Sequence, residues 1–227
     1  MISYVVVNYN SYDFLNLLLK SISKFSSIDH EVIVIDNSFE KKTLEVNSNV
    51  FFYYQNYNIG HGEGLNLGIT KATKKYILLL DVDCHFLYPN FDKLLICQKE
   101  DIITVPGTIK KPIRPAFLFS KKELIENYDF NSSLNYKGNR ITPDGYDVGI
   151  LAYYKMLEEN RTFFWMNKKK NRYKTLNGEE YCINDISIVY HHWHGSHLKE
   201  RQIDFPNDNL IEDKEKFMTK INIEFGY

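Results

Sequence analysis

The chain has 227 residues, 44% of them hydrophobic, enough for one large domain or two small ones around a sizeable core. Its 28 Lys and Arg nearly cancel its 29 Asp and Glu, which excludes an overall field for nucleic acid or an acidic surface. Cys84, Cys97 and Cys182 show no CxxC spacing, which fits a reducing compartment and excludes a cysteine-built structural zinc.

Residues 2–7 are β-rich and end in Asn8-Tyr9-Asn10-Ser11. With no basic region ahead of a long apolar stretch, this start reads as a strand and not a signal peptide. No later run approaches the ~18 apolar residues of a membrane span. Asn10 or Ser11 can cap a helix in which Phe14, Leu17, Leu18, Ile22 and Phe25 fall on one face. A second strand, 31–35, ends in Asp36-Asn37-Ser38, and a third covers 50–54. Next comes Asn58-Ile59-Gly60-His61-Gly62-Glu63-Gly64-Leu65-Asn66-Leu67-Gly68, leading into a helix that runs through about residue 73. Gly60, Gly62 and Gly64 permit close backbone approach or positive φ. A helix N-terminus just behind them favours anions. No Gly-Lys-Ser/Thr follows, so this is not a P-loop, and its place after the third strand argues against a dinucleotide site.

Residues 76–80, Tyr-Ile-Leu-Leu-Leu, read as a strand buried on both faces of a parallel sheet. Asp81 and Asp83 follow at its carboxyl end, where open α/β sheets bind their ligands. Two hard oxygen donors converging there suit Mg²⁺ or Mn²⁺ holding a diphosphate, although an Asp-x-Asp by itself is more often a solvated turn. The order β-α-β-β-α-β is that of a doubly wound half-sheet.

Farther on, the sequence predicts helices at 91–97, 121–128, 147–160 and 208–220, and strands at 102–105, 116–119, 162–166 and 186–190. Loops are expected at 106–107, 112–115 and 129–145, with a His-rich loop at 191–205. Without a repeat or linker, residues 1–227 read as a single domain. Its halves are 1–90 and 91–205, closed by a helix in 206–227. His191, His192, His194 and His197 surround Trp193, but no His-Glu-x-x-His and no nearby cysteine supports zinc. Trp193 is more simply a sugar-stacking or packing residue. The basic run 168–174 is either a solvated face or a contact with an anionic membrane surface.

Four stretches stand in an order and spacing that resembles family 2 type glycosyltransferases with a GT-A fold. They are Val5-Val6-Val7-Asn8-Tyr9-Asn10-Ser11, Val34-Ile35-Asp36-Asn37-Ser38, Asn58-Ile59-Gly60 with Asn66-Leu67-Gly68-Ile69, and Leu80-Asp81-Val82-Asp83. More loosely, Tyr146-Asp147-Val148-Gly149 resembles the family's acidic motif, and His191-His192-Trp193-His194-Gly195 its His-containing loop. The resemblance runs over roughly residues 2–201.

It implies an α/β, Rossmann-like GT-A fold: a mixed, mostly parallel sheet flanked by helices. It also implies transfer of a sugar, with inversion, from a UDP-, dTDP- or GDP-linked donor. The acceptor would be a glycan, lipid-linked or protein hydroxyl, in glycan or polysaccharide synthesis. Carried over residue by residue, Asp36 would contact the base, with Asn8 and Asn10 beside the nucleotide. Asn58, Gly60, Gly62 and Asn66 would line the donor pocket, with Trp193 against the sugar. Asp83 would ligate Mn²⁺ or Mg²⁺, Asp81 would touch the ribose or the metal shell, and His191 or His194 would add a ligand or meet the diphosphate.

The general base would be Asp147, preferred, or Asp144; relatives often carry Glu-Asp in this motif, and Gly145 cannot supply a carboxylate. Asp147 would otherwise serve as a helix N-cap. Gly145 motivates the alternative of an inactive nucleotide-sugar-binding protein of the same fold. A sugar nucleotidyltransferase, the remaining alternative, would carry a basic glycine-rich loop where Asn8-Tyr9-Asn10-Ser11-Tyr12-Asp13 stands. The expected setting is cytoplasmic, peripheral on the inner face of the membrane if the basic run meets lipid.

Overall fold

The computed structural model describes residues 1–108, 111–131, 148–169, 178–192 and 210–226. Its first elements are β1 (Ile2–Asn8), α1 (Tyr12–Phe25), β2 (His30–Asp36), β3 (Val50–Tyr54), α2 (His61–Lys71) and β4 (Tyr76–Asp81). β1 pairs in parallel with β2 on one side and β4 on the other, and β2 pairs in parallel with β3. Then β7 (Lys111–Lys121) joins β4 antiparallel, β6 (Ile102–Thr108) joins β7 antiparallel, and β8 (Phe163–Trp165) joins β6 in parallel. The seven-stranded order is β3-β2-β1-β4-β7-β6-β8.

A second, antiparallel sheet has the order β5-β11-β10-β9. Its strands are β5 (Cys84–Phe86), β9 (Asn167–Lys169), β10 (Gly178–Ile183) and β11 (Ile186–His192). Four further helices are α3 (Phe91–Ile96), α4 (Lys122–Ile125), α5 (Ile150–Glu158) and α6 (Leu210–Phe225).

Strand alternation explains the layering. On one face of β1, Ile2, Tyr4 and Val6 meet Leu15, Leu18 and Ile22 of α1; on the other, Val5 and Val7 meet Leu65 and Ile69 of α2. Both faces of the central strands are covered, so β1 and β4 are near-continuous apolar runs. α2 lies unusually close to β1 because Gly64 and Gly68 face it. A Cβ on Gly68 would stand 2.2 Å from Val5 Cγ1, and one on Gly64 2.8 Å from Val7 Cγ2. The outer side of α1 carries Phe14 and Leu17 against Tyr190 and against Phe217 and Ile221 of α6.

β1, β2, β3, β4, β6 and β8 all run the same way, so Asn8, Asp36, Tyr54, Asp81 and Trp165 end on one edge of the large sheet. Among the described residues, no helix is long and apolar enough to cross a membrane.

The structure departs from the sequence-based expectations in the second half. β5 is too short to show a period, and two adjacent glutamates, Glu179 and Glu180, mask β10. Residues 112–115, expected as a loop because of their prolines, lie inside β7. Pro115 falls where the register with β6 shifts, the kind of bulge that tolerates a missing N–H. The helix expected at 121–128 is only Lys122–Ile125, and His191 and His192 belong to a strand instead of a loop.

Candidate active site

β4 ends at Asp81 in the large sheet, and Cys84 opens β5 in the small one, so Asp81-Val82-Asp83 is the joint between the sheets. Val82 and Cys84 turn into the core. β11 runs alongside: His191 pairs with Cys84, and the His192 N–H donates to Asp83 O at 2.9 Å. His191 Nε2 thereby stands 3.3 Å from Asp83 Oδ1 and 3.5 Å from Asp81 Oδ2. The Tyr181 hydroxyl lies 2.5 Å from His191 Nδ1 and fixes the ring's other side. His61, at the N-terminus of α2, brings Nε2 to 3.4 Å from Asp81 Oδ1.

The electrostatics follow from this enclosure. Burial alone would lower the His191 pKa, but the charge of Asp83 and hydrogen bonds to Asp81 and Asp83 outweigh it and raise it to about 10. His191 is therefore an imidazolium bridging two carboxylates, a positive charge where they converge. Burial, then the charges of Asp83 and Asp81, push the Cys84 thiol well up, and its sulfur sits 3.6 Å from Ala116 O. Ligand atoms of Asp83, Cys84 and His191 lie within 4.8 Å of one another. Carboxylate and imidazole donors at this spacing fit a divalent ion, with Mn²⁺ better suited than Mg²⁺ to a nitrogen ligand. The protonated thiol is the weakest of the three donors.

Of the four histidines around Trp193, the two that the structure describes, His191 and His192, do not converge. His191 faces the carboxylates, and its strand neighbour His192 turns to the opposite side. There His192 meets His85 at 3.2 Å, with the rings of Phe14, Tyr190 and Phe217 around it. Burial, with His85 and His191 nearby, holds His192 neutral.

At the ends of β1 and β2 a buried network shapes the loop surface. Asp36 Oδ1 accepts from Asn8 Nδ2 at 3.2 Å and the Ser38 N–H at 3.0 Å, and Asp36 Oδ2 accepts from the Tyr12 hydroxyl at 2.8 Å. Asn8 Nδ2 also reaches Ser38 Oγ, which accepts from the Asn10 N–H. The Asp36 carboxylate is thus engaged within the protein. Asn37 Nδ2 donates to Gly60 O at 3.2 Å, while the buried Asn37 Oδ1 has no hydrogen-bond partner among the described residues.

The glycine stretch divides its labour. Asn58 Oδ1 accepts from the Gly60 N–H, and Gly60 has φ +90 with open space around its missing Cβ. Gly62 is pressed against the backbone of Phe130 and Asn131, 2.7 Å from where a Cβ would stand. Asn66 donates to Asp129 Oδ1 and accepts from the Phe130 N–H, pinning the same segment to α2.

Trp193, His194, Asp144 and Asp147 lie outside the described residues. The sequence reading did not single out His61, Tyr12, Asn37 and Tyr181 as site residues. A histidine between two glycines was the one available signal; the other three take their meaning only from folding.

Residues 3–161 match the model of the glycosyl transferase family 2. A mouse beta-1,4 N-acetylgalactosaminyltransferase 2 is 35% identical over 101 residues, 42% of this chain and 19% of that protein. In fold, the chain is similar to Staphylococcus aureus TarS residues 1–349, at TM-score 0.53 and 15% identity over 89% of this chain and 63% of that one. It is also similar to a Pyrobaculum calidifontis mannosyltransferase in complex with GDP-Man and Mn²⁺, at TM-score 0.51 and 14% identity over 72% and 54%. The chain spans less than two thirds of each of these relatives.

Proposed function

The chain belongs to glycosyl transferase family 2, and we propose that it transfers a sugar from a nucleoside diphosphate sugar to an acceptor hydroxyl, with a divalent ion and with inversion. The observation that carries this reading is the meeting of Asp81, Asp83 and His191 at the carboxyl edge of the sheet. The mannosyltransferase of similar fold holds its GDP-Man together with Mn²⁺, which supports a metal-linked donor here; UDP, dTDP and GDP all remain donors to test.

Asp83 and His191 would hold the ion, with Asp81 in its shell or on the ribose. The ion, when bound, would neutralise the charge that develops on the leaving diphosphate. His61 would orient Asp81 from the α2 terminus. Asp36 would set the nucleoside wall by fixing Asn8, Tyr12 and Ser38, and Asn37 Oδ1 would accept from an N–H of the base. Asn10, Asn58, Gly60, Gly62 and Asn66 would shape the donor pocket, with Trp193 and His194 closing on the sugar and diphosphate. Asp147, or Asp144, would take the acceptor proton as the new bond forms on the face opposite the leaving group. Residues 1–90 would serve the donor and 91–205 the acceptor, within one domain.

The test is a thermal-shift screen of nucleoside diphosphates and their sugars, with and without Mn²⁺, on wild type and Asp83→Ala. Ligand bound to the native state raises the melting temperature by mass action. An Mn²⁺-dependent rise with one nucleotide, lost in Asp83→Ala, is expected. A wild type that shifts with no nucleotide would defeat the proposal.

A further inference from the structure

Among the described residues, four strands stand at sheet edges: β3, β8, β5 and β9. The last three have three residues each, and β9 carries two lysines. β3 has five, Val50-Phe51-Phe52-Tyr53-Tyr54, with no charge, proline or glycine and an unbroken register against β2. Sheets ordinarily close an edge by shortness, charge, proline or a bulge, and an edge with none of these is a template for another strand. Phe51 is 45% and Tyr54 47% exposed.

The register decides which backbone groups of β3 are spare. Val32 pairs with Val50, and the Val32 N–H donates to Asn49 O at 2.9 Å; at the other end the Gln55 N–H donates to Asp36 O at 2.9 Å. In a parallel ladder so placed, Phe51 and Tyr53 turn both N–H and C=O toward β2, and Phe52 and Tyr54 turn theirs out of the sheet. The Val50 C=O points out as well, while its N–H is taken by Asn47 O. Val50 and Phe52 pack on the α1 face, where Tyr54 stacks on Phe52; Tyr53 packs on the α2 face.

We propose that β3 pairs with β3 of a second copy of this chain, antiparallel about a two-fold axis at Phe52, so that the two large sheets become one. The edge selects this occupant because it is complementary to itself. In that register the Phe52 N–H and C=O bond those of Phe52 in the second copy, and the Tyr54 N–H donates to Val50 O, each bond made twice by symmetry. No other two-fold register uses all three outward residues. Phe51 then lies opposite Tyr53 and Val50 opposite Tyr54, the aromatic and β-branched pairs that stabilise sheets.

Charge agrees with the pairing. Lys41 Nζ rests 5.1 Å from the centre of the Tyr54 ring and donates to Gln55 O, both neutral, which sets its charge at the Tyr54 end. Exposed Glu45 lines a cleft with Val50 and Asn47 at the other end, on the segment that leads into β3. Lys20 and Lys24 share that cleft from α1, which lies inboard over β1 and β2, and Lys24 is turned to Phe225 O. The two-fold axis sets Tyr54 beside Val50 of the second copy on the same face, so each Lys41 meets the other copy's Glu45. A five-residue ladder is smaller than the ~1,200 Å² of a stable interface, which puts the Kd on the order of 10 µM. The paired strands run oppositely, so the two Asp81 sites open at opposite edges of the joined sheet.

The experiment is sedimentation velocity of the full chain from about 1 to about 200 µM, with hydrogen exchange at both ends of that range. A monomer–dimer equilibrium is expected, with the Phe52 and Tyr54 amides slowed at high concentration and those of Phe51 and Tyr53, bonded to β2, slow throughout. Lys41→Glu and Glu45→Lys should each dimerise about tenfold more weakly alone. Mixed in equal amounts they should recover, because both contacts between the copies then join opposite charges. Tyr54→Pro removes an outward N–H and no bond to β2, so it should stay monomeric and folded. A monomer throughout the range, a dimer that Tyr54→Pro and the charge reversals leave intact, or reversals that the mixture does not rescue would overturn the proposal. So would loss of the dimer in Leu151→Ser/Tyr154→Ser, on the exposed side of α5. Slowing of the Phe52 and Tyr54 amides only on addition of a blocked Val-Thr repeat peptide would assign the edge to a peptide partner instead. Every readout is taken without nucleotide or turnover, so its failure leaves the thermal-shift result standing, and the reverse.

Discussion

Entry of a divalent ion at Asp83 should expel a proton. In the ion-free protein, His191 is protonated at neutral pH because Asp83 and Asp81 raise it to about 10. An imidazole must be neutral to ligate, so each ion bound through His191 displaces about one proton. The apparent Kd for Mn²⁺ should therefore fall about tenfold for each pH unit between roughly 6.5 and 9. Calorimetry in two buffers of different ionisation enthalpy would count the proton directly. His191→Gln should bind more weakly, with little pH dependence and no proton release.

The same group sets a slope in stability. Its folded pKa lies above the unfolded value of about 6.5, so its contribution is complete below that pH and is lost as pH rises through about 10. The ion-free melting temperature should decline across that window, and His191→Gln should flatten the decline. A pH-independent Kd in the wild type, with Asp83→Ala still abolishing binding, would refute the assignment of His191 as the displaced cation.

Other outcomes follow from packing and from buried acids. Gly68→Ala drives a methyl into Val5, 2.2 Å from its Cγ1. A cost of about 1–3 kcal/mol and a melting temperature lower by about 2–10 °C are expected by calorimetry. Buried Asp92 accepts from the Ser27 and Ile28 N–H groups and from the hydroxyls of Ser26 and Ser27. Burial would raise its pKa, but those donors outweigh it and hold the carboxyl below its ordinary value. Its contribution is present above pH ~3.8 and disappears as pH falls through the lower folded value. Asp92→Asn should thus lower stability near neutrality and reduce the acid sensitivity of urea unfolding. Asn66→Ala removes two hydrogen bonds to residues 129–130; a loss of about 1–2 kcal/mol is expected, with faster hydrogen exchange at the Phe130 amide.

The first half of the fold was legible because parallel strands covered on both faces announce themselves as apolar runs. β1 and β4 could be read that way, and each was followed by the polar residues that form the site. The family resemblance pointed to Asp81, Asp83 and either His191 or His194; His191 stands within 3.5 Å of both carboxylates, and His194 lies outside the described residues. Composition could not reveal that Asp36 would be engaged by Asn8, Tyr12 and Ser38, because those partners come from separate elements. Gly62, Gly64 and Gly68 looked alike in sequence; only packing shows that two of them admit α2 to β1 and the third admits Phe130 and Asn131. The small sheet was largely illegible: β5 and β9 have three residues each, β5 joins it by pairing with the sequence-distant β11, and Glu179 and Glu180 hide the apolar period of β10.

The joint at Asp81-Val82-Asp83 makes the site a property of assembly. The carboxylates are delivered by the doubly wound half, but His191 arrives on β11, beyond the stretch matched by the family model. A fragment ending after β8 would retain the large sheet and both aspartates, yet lack His191. His191 follows both acids in the chain by more than a hundred residues and reaches them through β11, the last strand of the small sheet. Closure of the small sheet and completion of the site are then one event, and a chain that has not finished folding has no finished site.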